Sequence, residues 1–152
     1  MMERTVNYEV LAQSLAALVD GVPYLTANLA NASALIWQHL PDINWVGFYI
    51  MEDGALVLGP FQGKPACIRI AVGRGVCGTA AAQDAVQLVP DVHAFPGHIA
   101  CDGASNSEIV LPIHKDGKVW GVLDIDSPCF GRFTAEDQSG LEKVVTVLET
   151  LL

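Results

Sequence analysis

The chain has 152 residues, a formal net charge of −9 at pH 7 and a hydrophobic fraction of 51%. That length suits one domain with a real core. An acidic surface is repelled by phosphate backbones and anionic lipid, so neither nucleic acid nor a membrane surface is an expected partner. No apolar run reaches the length of a membrane span. The start, MMERTVNYEV, lacks the basic-then-apolar pattern of a secretory signal, so the cytoplasm is the expected compartment. The four cysteines are Cys67, Cys77, Cys101 and Cys129. In a chain this large and apolar they point to redox, catalytic or metal use rather than to structural bridging.

Residues 7–40 read as two helices. Asn7 can cap the first, and Val10, Leu11, Leu15, Leu18 and Val19 form its apolar stripe. Asp20-Gly21 ends it, and Pro23 suits the first turn of the next, whose stripe is Leu25, Leu29, Ala32, Leu35 and Ile36. Residues 43–51 and 55–61 read as a hairpin around Asp53-Gly54. Period 2 puts Trp45, Gly47 and Tyr49 on one face and Val46, Phe48 and Ile50 on the other. Trp45 and Tyr49 are then either core or the aromatic wall of a pocket. Gly59-Pro60 is expected to break the second strand, with a loop over 61–65.

Residues 67–72 read as a short strand. A glycine-rich turn, Gly73-Arg74-Gly75-Val76-Cys77-Gly78, leads into a helix ending near Gln83. Such a turn leaves N–H groups free to meet a ligand, but no GK[ST] follows to make it a phosphate loop. After a short strand at 86–89 comes PDVHAFPGHIACDGASNSE, residues 90–108, which has no period and reads as an ordered loop carrying the thiol of Cys101. A second Asp-Gly hairpin joins 107–115 to 118–127. On its return strand Trp120, Val122, Asp124 and Asp126 share a face. Two acids on one face either emerge into solvent or line a pocket, where repulsion and burial raise a pKa. Thr134 and Asp137 cap a last helix over 134–152. The order implies an α+β fold: a central, mostly antiparallel sheet with helices on one face and active-site loops on the other.

The loop side thus gathers Cys67, Cys77 and Cys101, His93 and His98, the acids Glu108, Asp124 and Asp126, and the aromatics Trp45 and Tyr49. Zinc would draw on His93, His98 and Cys101, but H-x4-H-x2-C matches no tight zinc pattern. A cysteine hydrolase would pair His98 with Cys101, without an evident orienting group. Thiol redox chemistry explains more, because it uses several thiols on loops and an acid to protonate a leaving oxygen.

The segments GPFQGKPACIRI, GVCG, DVHAFPGHIACD, SEIVLPI and GVLDIDSP, in that order, strongly resemble the free methionine-(R)-sulfoxide reductases, small stand-alone GAF-domain enzymes. The resemblance spans about Trp45 to Asp137 and implies a GAF-like fold, with residues 1–152 as a single domain. It implies reduction of free L-methionine-(R)-sulfoxide to methionine in the cytoplasm, with thioredoxin as electron donor and neither metal nor cofactor. On the family's pattern Cys101 is the nucleophile, Cys67 its resolving partner and Cys77 an auxiliary thiol, while Cys129 is extra. The substrate-binding and catalytic acids fall on Glu108, Asp124 and Asp126, with Trp45 as aromatic wall and Tyr49 beside it. The competing expectation is a non-enzymatic GAF-type module that binds a small regulatory ligand. The apolar N-terminal helices make a homodimer plausible in either case.

Overall fold

A computed structural model describes residues 5–99 and 103–152. The Asn7 side chain accepts the Val10 N–H at 3.1 Å and opens α1 (Tyr8–Val19). In α2 (Leu25–His39) Tyr24 occupies the N-cap, so Pro23 lies ahead of the helix rather than in its first turn. Thr134 and Asp137 close a reciprocal capping box at the start of α4 (Ala135–Glu149), an arrangement worth about 1 kcal/mol.

Two hairpins dominate the sheet: β1 (Trp45–Glu52) with β2 (Ala55–Gly63), and β5 (Ser107–Lys115) with β6 (Lys118–Ser127). Asp53 and Gly54 (φ 51° and 80°) and Asp116 and Gly117 (φ 54° and 74°) occupy the left-handed region, the backbone twist that two-residue hairpins need. With β3 (Arg69–Ala71) and β4 (Gln87–Val89) at the edges, the six-stranded order is β3-β2-β1-β6-β5-β4, and each described pairing is antiparallel.

Three local readings of the sequence need correction. Gly59-Pro60 does not break β2. The register steps from Tyr49↔Leu58 to Gly47↔Phe61, so both residues bulge opposite Phe48. Pairing with β3 covers only Ala55 to Val57; farther along, β2 is an edge, where proline's missing N–H costs no ladder bond. Second, β3 is only three residues long, which leaves Cys67 in the loop before it. Third, Trp120 is an extra residue between Gly121↔Ile113 and Val119↔His114. The bulge turns it away from Val122 and Asp124 and packs it against the helix-side core.

That core joins Leu11, Leu15, Leu29, Ile36, Leu141 and Val144 of α1, α2 and α4 to Val46, Phe48, Ile109, Leu123 and Ile125 of the sheet. The other face is not left to loops alone. Here α3 (Gly75–Gln83) buries Val76, Cys77 and Ala80 against Trp45, Tyr49, Ile70, Val110 and Val122. Its inner side is built of small residues, and β3 passes almost directly into it, so it must lie close on the sheet.

Candidate active site

The register of the three central strands assembles the site. Trp45 of β1 pairs with Asp126 of β6, and Gly47 pairs with Asp124. On the other side of β6, Asp126 pairs with Glu108 of β5, and Asp124 with Val110. Alternation therefore sends Trp45, Asp124, Asp126 and Glu108 to one face, the face that α3 crosses. They line a cavity closed by Pro65 and Ala66 of the Cys67 loop, by Gly75, Val76 and Cys77 of α3, and by His98, Ile99 and Ser105.

The aromatic wall is also a staple. Trp45 is 3% exposed and stacks between Phe61 (5.2 Å) and Tyr49 (5.9 Å). Its indole N–H donates to the Lys64 carbonyl at 3.1 Å, and the Tyr49 hydroxyl donates to the Cys67 carbonyl at 2.9 Å. Core packing and pocket lining are thus the same residues, and each ring holds one end of the loop that carries Cys67. The close fit requires glycine at position 63, where φ is 133° and a Cβ would fall 2.6 Å from the Trp45 ring.

Glu108 and Asp124 are buried, at 6% and 5% exposure. Burial raises the Glu108 pKa well above the carboxylate range, and the charges of Asp124 and Asp126 raise it further. Burial also raises the Asp124 pKa, against the opposing effect of hydrogen bonds from Glu108, Cys77 and Asp126. One oxygen of Asp124, Oδ1, is buried with no hydrogen-bond partner among the described residues. Burial and repulsion within the cluster therefore favour the protonated form of Glu108, and Asp124 Oδ1 presents an unmet acceptor. Burial pushes the Cys77 thiol up as well, helped by the neighbouring acids, and burial lowers the His98 pKa, with His93 adding to the shift.

Of the residues singled out from the sequence, the structure brings together Trp45, Tyr49, Cys77, His98, Glu108, Asp124 and Asp126, with Cys67 on the loop above them. Cys67 is in a disulfide, whereas Cys77 and Cys129 are free. Cys101, the candidate nucleophile, lies outside the described residues. His93 is not among the cavity-lining residues; its ring nitrogen is 2.9 Å from the Asn106 amide oxygen and its ring centroid 6.3 Å from that of Phe130. The zinc set His93–His98–Cys101 includes Cys101, which lies outside the described residues. Cys77, Glu108 and Asp124 offer ligand atoms within 4.8 Å of one another. A cation would need them deprotonated, against the direction in which burial drives Cys77 and Glu108. Arg74, Ser105 and Ile99 also line the cavity. Sequence reasoning passed over them, and only the glycines around Arg74 hinted at its place.

Comparison with known proteins identifies the family and the fold. The GAF domain profile matches residues 11–152. The free methionine-R-sulfoxide reductase of Escherichia coli (strain K12) is 58% identical over 151 residues, covering 99% of this chain and 92% of that protein. The reduced form of fRMsr of Staphylococcus aureus superposes with a TM-score of 0.96 at 50% identity, over 100% of this chain and 99% of that one. The free methionine-R-sulfoxide reductase of Neisseria meningitidis, solved in complex with its substrate, gives a TM-score of 0.93 at 38% identity over 99% and 94% of the two chains. On this profile match and these identities, and with an acid cluster and an aromatic wall in one cavity, the chain belongs to the GAF-domain family and, within it, to the free methionine-R-sulfoxide reductases.

Proposed function

We propose that this chain, folded as one GAF domain, reduces free L-methionine-(R)-sulfoxide to L-methionine in the cytoplasm, with thioredoxin as reductant. The observation that carries this reading is the Glu108–Asp124–Asp126 cluster on the cavity wall, with Glu108 and Asp124 buried and burial and the neighbouring charges raising the Glu108 pKa. The Cys101 thiolate attacks the sulfoxide sulfur, and the acid cluster protonates the departing oxygen. Methionine leaves and Cys101 becomes a sulfenic acid. The Cys67 thiol condenses with it, releasing water and forming a disulfide, and a dithiol then returns two electrons to that disulfide. The disulfide at Cys67 and the free thiols of Cys77 and Cys129 are in keeping with this division of labour.

In this reading Trp45 and Tyr49 pack the methylthio end. The acid cluster, with Asp124 Oδ1 still unmet, takes the substrate ammonium. The N-terminus of α3, whose N-cap Arg74 makes no side-chain cap bond, offers N–H groups and positive dipole to the carboxylate. Replacing the ammonium by an amide removes a charge-assisted hydrogen bond and strands buried acceptors, a loss of about 2–5 kcal/mol. Turnover should be compared for both free epimers and for N-acetyl-methionine-(R)-sulfoxide. The free (R) form should win by about 30-fold or more, and the (S) form should fail because inversion takes its oxygen away from the proton donor. Equal kcat/KM for free and N-acetylated (R)-sulfoxide would refute the pocket assignment.

A further inference from the structure

The Cys67 loop continues into the edge strand β3, and this corner of the molecule differs in charge from the rest. The chain carries 17 Asp and Glu against 8 Lys and Arg, yet from Gly54 to Gln83 it has no acid and three cations, Lys64, Arg69 and Arg74. All three are exposed, and among the described residues none makes an ion pair. Between Lys64 and Arg69, directly after Cys67, stands Ile68, the most exposed large apolar side chain described at 74%. Its backbone is fixed, since the Leu58 N–H donates to the Ile68 carbonyl at 2.9 Å. An isoleucine held out in water on a loop whose backbone is tied to β2, flanked in the chain by unpaired cations on an otherwise acidic protein, has the make-up of a recognition patch: an apolar contact with charged neighbours.

We propose that Ile68, with its chain neighbours Lys64 and Arg69, is the docking surface for an acidic protein dithiol that reduces the disulfide at Cys67. The proposal rests on the thiol-redox reading above. A thiolate that attacks a disulfide must come into bonding contact with a sulfur, so its protein has to cover the residues next to Cys67. The partner's first thiolate bonds to the Cys67 sulfur as the old S–S bond breaks. Its second thiol then displaces Cys67 as a thiol and leaves the partner oxidised. The positive charge of these neighbours draws in an acidic partner against the repulsion of this chain's net charge of −9. It also favours the attacking anion itself.

Reduction should be driven in parallel by a thioredoxin of net negative charge, with its reductase and NADPH, and by dithiothreitol, in wild type, in Ile68→Asp and in Lys64→Glu/Arg69→Glu. Neither variant touches the cavity wall through its side chain. With dithiothreitol both should turn over within about twofold of wild type, which shows that fold and chemistry are intact. With thioredoxin, kcat/KM for thioredoxin should fall by about tenfold or more in each. Wild-type kcat/KM for thioredoxin should also fall between about 20 and 200 mM NaCl while the dithiothreitol rate stays level. Unchanged thioredoxin kinetics in both variants would overturn the docking surface and leave the activity standing. Equal losses with both reductants would make the patch structural rather than a docking surface. No turnover by wild type with either reductant would remove the redox reading and this surface with it.

Discussion

The Tyr49 hydroxyl donates to the carbonyl of Cys67, 2.9 Å away, so the floor of the cavity holds the loop that carries the thiol. Tyr49 is 2% exposed, and the bond is made where water cannot replace it. Tyr49→Phe keeps the ring stacked on Trp45 but leaves the carbonyl without that donor. Stability should fall by about 1–3 kcal/mol, visible as a lower urea midpoint. Methionine release in a single turnover should be nearly unchanged, because the pocket keeps its shape. Closure of the Cys67 disulfide afterwards should slow. Slower release with normal closure would place Tyr49 in substrate binding alone.

Glu108 carries the pH dependence. Burial and two neighbouring acids raise its folded pKa, so, if Glu108 is the proton donor in the proposed reaction, its acid form persists to higher pH than that of a free carboxyl. Turnover should hold below the raised pKa and fall as pH climbs through it, and Glu108→Gln should lose both rate and this limb of the profile. Stability runs the same way for a separate reason. Between the unfolded value of about 4.3 and the raised folded one, the native state binds the extra proton. Stability therefore declines as pH rises across that window. Glu108→Gln should flatten the decline and be more stable than wild type at its upper end, as urea titrations from acid to neutral pH would show.

At the end of β5, away from the cavity, His114 joins three elements. Its Nε2 lies 2.5 Å from Oδ1 of Asp84, the residue after α3, and its Nδ1 lies 3.0 Å from Oε2 of Glu149 in α4, which also accepts the His114 backbone N–H. Glu142 lines the same cleft. The bond to Asp84 raises the His114 pKa, burial opposes it and Glu149 adds to the rise. The sign is that of a histidine gaining partners: the contribution is complete below about pH 6.5 and is lost as pH rises through the folded value. His114→Gln should remove this slope from the stability curve and leave kcat/KM unchanged. A pH slope that survives the substitution would place its origin elsewhere.

This cluster also marks what the sequence conceals. Its members are 30 and 35 positions apart and sit on three elements, so no local pattern joins them. The hairpins were legible because Asp53-Gly54 and Asp116-Gly117 state their backbone conformation in two residues. The acid cluster was half legible: period 2 placed Asp124 with Asp126, but only strand pairing set Glu108 opposite Asp126. Trp120 misled because alternation cannot count an extra residue, and Gly59-Pro60 because a breaker pair reads as a strand end even where a bulge on an edge admits it. The placement of α3 was missed because its small buried residues carry little hydrophobic signal.

The two remaining motif thiols should not be interchangeable, and the reason lies in their surroundings. Cys67 is half-buried on a loop between Lys64 and Arg69 and already engages in a disulfide. Cys77 is 5% exposed in α3, and burial together with Asp124, Glu108 and Asp126 holds its thiol well above the usual pKa. A thiol attacks sulfur as the thiolate, so at neutral pH Cys77 has almost none of the reactive form. Making one would place a further negative charge against acids that already raise the Cys77 and Glu108 pKa values. Cys67→Ser should therefore release about one methionine per chain and then stop. Mass spectrometry should find an oxygen adduct, about 16 Da, on Cys101 as sulfenic acid, and thioredoxin should not restart turnover at the wild-type rate. Cys77→Ala should still form the Cys67 disulfide, while its lost hydrogen bond to Asp124 changes the pH profile of turnover rather than the recycling step. A disulfide between Cys77 and Cys101, forming in Cys67→Ser as fast as the Cys67 disulfide forms in wild type, would make Cys77 the resolving thiol. It would also mean that the acid cluster gives up its proton far more readily than its burial implies.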